Sequence, residues 1–229
     1  MGPPHCAIRM IMSSLKDNRQ RLVTAALAAL VAVVSAVGGY ALFRVLEMRH
    51  QADLQTLLVL PEPRGIPAFT LTDQYGADFG PDRLAGKWSL LFFGFTHCPD
   101  ICPGTLYDLA RVTEGLEETD ATLAERAQVV FVSVDPERDL PGRMRDYVAY
   151  FNPDFIAVTG PHDQLEPVTR KLGIAYRIEP HASGAERYNV DHSASVLLIN
   201  PAGQLHGVFP APHDAAAMQS DLLNLLARE

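Results

Sequence analysis

The longest pattern in the chain is an unbroken apolar one. "LVTAALAALVAVVSAVGGYALF", Leu22 to Phe43, carries no charge over 22 residues, and as a helix it would reach roughly 33 Å, enough to cross a bilayer. Downstream the pattern changes to short apolar runs alternating with amphipathic stretches. "WSLLFFGF" (Trp88 to Phe95), "VVFVSV" (Val129 to Val134) and "FIAVTG" (Phe155 to Gly160) have the length and continuity of strands buried on both faces. Helical spacing follows in "TLYDLARVTEGLEE" from near Pro103, in "GRMRDYVAYF", and in "HDQLEPVTRKLG", where Pro167 disturbs it. "AFTLTDQYGADF" predicts two short strands about the turn residues Asp73 to Gly76. "ASVLLIN" and "LHGVF" predict a hairpin around Pro201-Ala202-Gly203, with a closing helix in "HDAAAMQSDLLNLLAR". Glu179 to Arg187 is polar and aperiodic, an excursion at the edge of the fold.

Strands alternating with helices imply parallel pairing, and the late hairpin adds an antiparallel edge. The order β-α-β-α-β, then a hairpin and a last helix, is the thioredoxin arrangement with an insertion. The expected organisation is therefore an N-terminal tail at 1–21, a transmembrane helix at 22–43, a linker at 44–64 and a thioredoxin-like α/β domain at 65–229. That domain would have a central mixed sheet flanked by helices. The linker boundary rests on Pro61, Pro63, Gly65 and Pro67, which break any continuing helix.

Charge refines this picture. Residues 1–50 hold six Lys/Arg against Asp17 and Glu47, and the remainder holds thirteen basic and twenty-five acidic side chains. An acidic body repels phosphate backbones, which argues against a nucleic-acid partner. Arg9, Lys16, Arg19 and Arg21 precede the apolar segment, favouring a cytoplasmic N-terminus and a body on the outer side of the inner membrane. A cleaved signal peptide is the alternative, since Val34-Ser35-Ala36 resembles a cleavage site, but the apolar run exceeds a signal core of about 7–15 residues.

Three cysteines remain to be explained. Cys6 precedes the apolar segment, away from the other two. Cys98 and Cys102, in "CPDIC", fall between the end of a buried strand and a helix start, where α/β sheets place their sites and a helix N-terminus favours thiolate. One helical turn separates them, so their sulfurs can bond each other or share an ion. A merely structural bridge over so short a loop would constrain few residues. Of the eight histidines, His192 stands out. It sits in "YNVDHSAS", just before a core strand, where a thioredoxin carries the residue facing its redox loop. Two thiolates and an imidazole make a soft three-donor set suited to Cu(I) and, with a further ligand, Cu(II). Zinc is the next metal to consider, since it usually takes four ligands. Asp135, ending the second buried strand, and Asp191, beside His192, are candidate hydrogen-bond acceptors behind the ligands.

Three stretches, "GFTHCPDICP" from Gly94, "SVDPERDLP" from Ser133 and "VDHSAS" from Val190, resemble the Sco/SenC family over about residues 65–229. That resemblance implies a membrane-anchored, thioredoxin-fold copper protein of cytochrome c oxidase assembly. It implies copper on Cys98, Cys102 and His192, and delivery of copper to, or reduction of, the cysteines of the oxidase's dinuclear copper (CuA) site. The implied partners are the oxidase copper-site subunit, other copper chaperones and thioredoxin-like reductants. The alternative is a thiol-disulfide oxidoreductase with Cys98 and Cys102 as its redox pair. A thiol peroxidase fits less well, because it calls for a single activated cysteine.

Overall fold

The computed structural model describes residues 27, 29–44, 54–182, 184–185 and 187–227. The chain divides into two units, Met1–Ala52 and Asp53–Glu229. In the first, residue 27 and residues 29–44 (α1) are helical, with large apolar side chains such as Leu30, Val34, Val37 and Phe43 exposed. The expected span Leu22–Phe43 lies partly outside the described residues, as do the tail 1–21, Cys6 and residues 45–53. Among the described residues no helix is long and apolar enough to cross a membrane.

The second unit starts with β1 (Leu58–Gly65), β2 (Leu71–Asp73), β3 (Asp78–Phe79), a single 3₁₀ turn at Pro81–Leu84, and β4 (Trp88–Gly94). It continues through α2 (Ile101–Thr119), α3 (Ala121–Ala124), β5 (Ala127–Ser133), α4 (Pro141–Ala149), β6 (Ile156–Thr159) and α5 (His162–Leu172). β7 (Tyr176–Ile178), β8 (Val190–His192), β9 (Val196–Ile199), β10 (Gln204–Phe209) and α6 (Ala215–Leu226) complete it. Eight strands form one mixed sheet in the order β1-β10-β9-β4-β5-β6-β2-β3. β4, β5 and β6 are parallel, and β9 returns antiparallel against β4. β4 lies in the middle, and all seven of its residues are buried, as its unbroken apolar run requires. β10 lies nearer the edge and alternates between half-buried and buried positions, the mark of a strand with one apolar face.

Two elements depart from the expected layout. Residues 58–64, expected within the linker, belong to β1, which pairs antiparallel with β10. The register shifts between Val59 and Arg64, so Pro61 and Pro63 fall in an irregularity on an edge strand, where a missing N–H leaves no ladder bond unmade. The fully buried Asp221 of α6 ties the chain leading into β1, accepting backbone N–H bonds from Gln55 (2.7 Å), Thr56 (2.8 Å) and Leu57 (2.8 Å). The polar excursion is also framed by strands. β7 and β8 form a separate two-stranded ribbon that pairs Tyr176 with His192. α5 runs through Pro167, which is exposed. The helix ends at Gly173, whose φ of 75° is the left-handed conformation that closes helices at low cost to glycine.

Candidate metal centre

β4 carries the chain out of the core at Gly94 and into the cysteine loop. Gly94 is required there by space. A Cβ on it would stand 2.6 Å from Cys102 Sγ and 3.0 Å from the Phe131 ring. The loop is pinned from beneath by Asp139, fully buried, whose carboxylate accepts from the Thr96 backbone N–H (2.8 Å), the Thr96 hydroxyl (2.5 Å) and the Ser133 hydroxyl (2.5 Å). This one side chain therefore fixes the ends of β4 and β5 to each other. It was not singled out from the sequence, where it is one acid in the charged run "DPERD".

α2 begins at Ile101, two residues earlier than expected, so Cys98 lies in the loop and Cys102 in the first turn of the helix. Cys98 is half-buried and Cys102 fully buried, both as free thiols. The Cys102 backbone N–H donates to Cys98 Sγ at 3.4 Å, a helix-end donor aimed at sulfur. His192 ends β8, and its Nε2 stands 3.3 Å from Cys102 Sγ. Its Nδ1 lies 3.0 Å from the Ser193 carbonyl oxygen. A carbonyl can only accept, so Nδ1 carries the proton and leaves the Nε2 lone pair facing the sulfurs. Phe92 and Phe95 meet the imidazole edge-on, with centroids at 6.0 and 5.8 Å. The donor atoms of Cys98, Cys102 and His192 all lie within 4.8 Å of one another.

The two thiols are electrostatically unequal. The Cys102 hydrogen bond pulls Cys98 down to about 3, against the opposing effect of burial, with further help from His192 and the backbone. Cys102 moves the other way, raised first by its hydrogen bond to Cys98 and then by burial. The two thiols are coupled, and the fold favours the thiolate on Cys98 and the thiol on Cys102. For His192 burial is the largest influence and disfavours charge. The net shift is nonetheless upward, through its bonds to Cys98 and to the Ser193 carbonyl.

The two carboxylates expected behind these ligands stand elsewhere. Asp191 is exposed and pairs with Arg177 at 3.4 Å; on a strand it alternates to the opposite side from its neighbour His192. The Ser193 carbonyl takes the place envisaged for it. Asp135 is fully buried but is bonded to Arg138 (2.5 Å) and to the Tyr188 hydroxyl (2.5 Å), not to a cysteine or to His192. Arg138 in turn donates to the Tyr188 carbonyl at 3.1 Å, lies over the Tyr188 ring at 3.5 Å and over the Phe95 ring at 5.6 Å. Asp135 thus anchors the excursion that returns the chain to β8 and His192. His97, in the loop beyond β4, engages Asp139 instead. Its Nδ1 lies 3.6 Å from Asp139, and its imidazole is held below the ordinary value first by burial, then by Arg143 and Arg138, which outweigh Asp139 and Asp135.

The SCO1/SenC family model matches residues 60–227. A Stutzerimonas stutzeri protein whose name proposes copper binding is 36% identical over 177 residues, 77% of this chain and 84% of that one. The mitochondrial SCO2 protein of Saccharomyces cerevisiae is 37% identical over 164 residues, 70% of this chain and 52% of its own; the chain spans about half of that relative. Arabidopsis thaliana ScoI, solved with copper bound, has a TM-score of 0.63 at 32% identity, covering 71% of this chain and 98% of that one.

Proposed function

This chain belongs to the SCO1/SenC family, and we propose that it is a membrane-anchored copper chaperone. It binds copper through Cys98, Cys102 and His192 and serves assembly of the dinuclear copper site of cytochrome c oxidase. The observation that carries this reading is the convergence of two sulfurs and one imidazole nitrogen within 4.8 Å from elements 90 residues apart in sequence. The donors are soft and sum to three, a set that suits Cu(I) and leaves Cu(II) room for a further ligand. Copper entry must displace the proton held on Cys102, so the ion is taken up in exchange for it. The half-buried Cys98 is the exposed edge of the site, where a recipient's thiolates would take over the ion. The uncharged run Leu22–Phe43 and the exposed apolar side chains of α1 support a single-pass anchor in the inner membrane, with the second unit on its outer side.

One observation favours a second activity at the same place. A low-pKa, half-exposed Cys98 next to a buried, proton-retaining Cys102 is the division of labour of a nucleophilic and a resolving thiol. In this reading the pair reduces the recipient's cysteines before copper arrives, becoming a disulfide itself. His192→Ala separates the two roles. The chaperone reading expects copper affinity to fall by at least about 100-fold, more than the loss of a group behind a ligand would cost, with oxidase assembly failing alongside it. Copper binding lost while oxidase assembly stays normal would leave the reductase role alone.

A further inference from the structure

Beside the centre, and sharing none of its three donors, lies a cavity of about 920 Å³ walled by His97, Glu137, Arg138, Arg143 and Arg187. Arg138 is built into the wall: its side chain is 9% exposed, fixed by Asp135 and flat against Tyr188. Arg143 and Arg187 are exposed. Arg143 spends its Nε on the Thr96 hydroxyl at 2.7 Å, and no carboxylate pairs with it or with Arg187 among the described residues. Glu137 is the one carboxylate in the wall among the described residues. Asp135 and Asp139 lie buried behind it, committed to Arg138 and Tyr188 and to Thr96 and Ser133. Three guanidinium groups around one cavity stand out in a chain of net charge −8. Guanidinium forks match carboxylates in shape as well as charge.

We propose that this cavity holds the carboxylate end of a small anionic thiol and so brings that thiol's sulfur to Cys98. The proposal rests on the reading above that Cys98 and Cys102 cycle between dithiol and disulfide. His97 in the wall is the chain neighbour of Cys98, about 3.8 Å away between Cα atoms, and a ligand two or three residues long spans about 7–10 Å. A thiol of peptide length is therefore the size of ligand that this placement calls for. Its thiolate attacks Sγ of Cys98 in the disulfide, the S–S bond breaks, and Cys102 leaves as thiolate and takes up a proton. A second thiolate attacks the outer sulfur of the mixed disulfide and releases Cys98 as thiolate. Two small thiols become one small disulfide, and two electrons restore the pair.

The test uses the full, metal-free chain oxidised to the intramolecular disulfide. Its reduction is timed with three peptide thiols, acetyl-Cys-Gly-Glu (anionic), acetyl-Cys-Gly-Gln-amide (neutral) and acetyl-Cys-Gly-Lys-amide (cationic), each normalised to its rate on hydroxyethyl disulfide. The expected result is a preference of about fivefold for the anionic over the neutral thiol, reversed for the cationic one and lost in high salt. Arg187→Glu and Arg143→Ala should each reduce that preference, and Arg187→Glu, which touches no part of the Thr96–Asp139 brace, should leave the neutral-thiol rate unchanged. A preference near one, or one that survives both substitutions, overturns the proposal and leaves the copper and redox readings standing. Failure of the cysteines to form the disulfide would instead remove the redox reading and this proposal with it, with the copper site untouched.

Discussion

Cys98 and Cys102 are one helical turn apart, and the fold makes them chemically unlike. One stands half-open at a helix start and receives an N–H; the other is sealed beneath it. An unfolded thiol titrates near 8.5, so folding depresses Cys98, and the stability this confers is present above that value and lost as pH falls through about 3. Alkylation of the metal-free protein reads the same shift. Iodoacetamide should modify Cys98 at pH 5 at nearly its pH 8 rate, whereas a rate falling about tenfold per pH unit over that range would show an ordinary thiol. Gly94 is the residue whose role the sequence concealed, because nothing about a glycine at a strand end reveals that a sulfur will lie against it. Gly94→Ala should cost about 1–3 kcal/mol in chemical denaturation, the usual cost of overpacking, and weaken copper binding. A neutral substitution would mean that Cys102 has room to move.

At the scale of elements, legibility followed the strength of the local pattern. β4, β5 and β6 were readable because strands buried on both faces are written as unbroken apolar runs. β1 was not, since its prolines signal a break, and only the partner strand β10 shows that they occupy an edge irregularity. The β7–β8 ribbon was hidden for a different reason. Each strand has three residues, too few for any period, and it forms because the excursion is clamped from outside by Asp135, Arg138 and Tyr188. His192 was nonetheless located correctly in relation to the cysteines, because β9 behind it was readable. Asp135 was noticed but given the wrong neighbour. The clamp makes a prediction at this scale. Tyr188→Phe removes one hydrogen bond to a buried carboxylate, worth about 1.5–3 kcal/mol. Amide exchange across residues 187–192 should quicken and copper affinity should fall about tenfold. If both stay at wild-type values, the clamp plays no part in holding His192.

For the whole molecule, the sheet's topology is what joins the distant pieces of the candidate centre. β4 and β9 are adjacent antiparallel neighbours, so the end of one and the approach to the other meet at the same side of the sheet. That brings "CPDIC" and "VDHS" together across 90 residues of sequence. The parallel neighbour β5 adds the Ser133–Asp139 brace beneath the loop. The arginine-walled cavity takes His97 from the cysteine loop, so the proposed thiol site adjoins the centre along the chain. The central claim is that this meeting point is a copper site built from three side chains. It is tested most directly by metal analysis of the purified chain reconstituted with Cu(I) under reducing conditions, alongside Cys98→Ala, Cys102→Ala and His192→Ala. About one copper per wild-type chain, retained through gel filtration and lost from each variant, is the predicted result. Wild-type protein that emerges without copper, or variants that keep it at the wild-type level, would contradict the account.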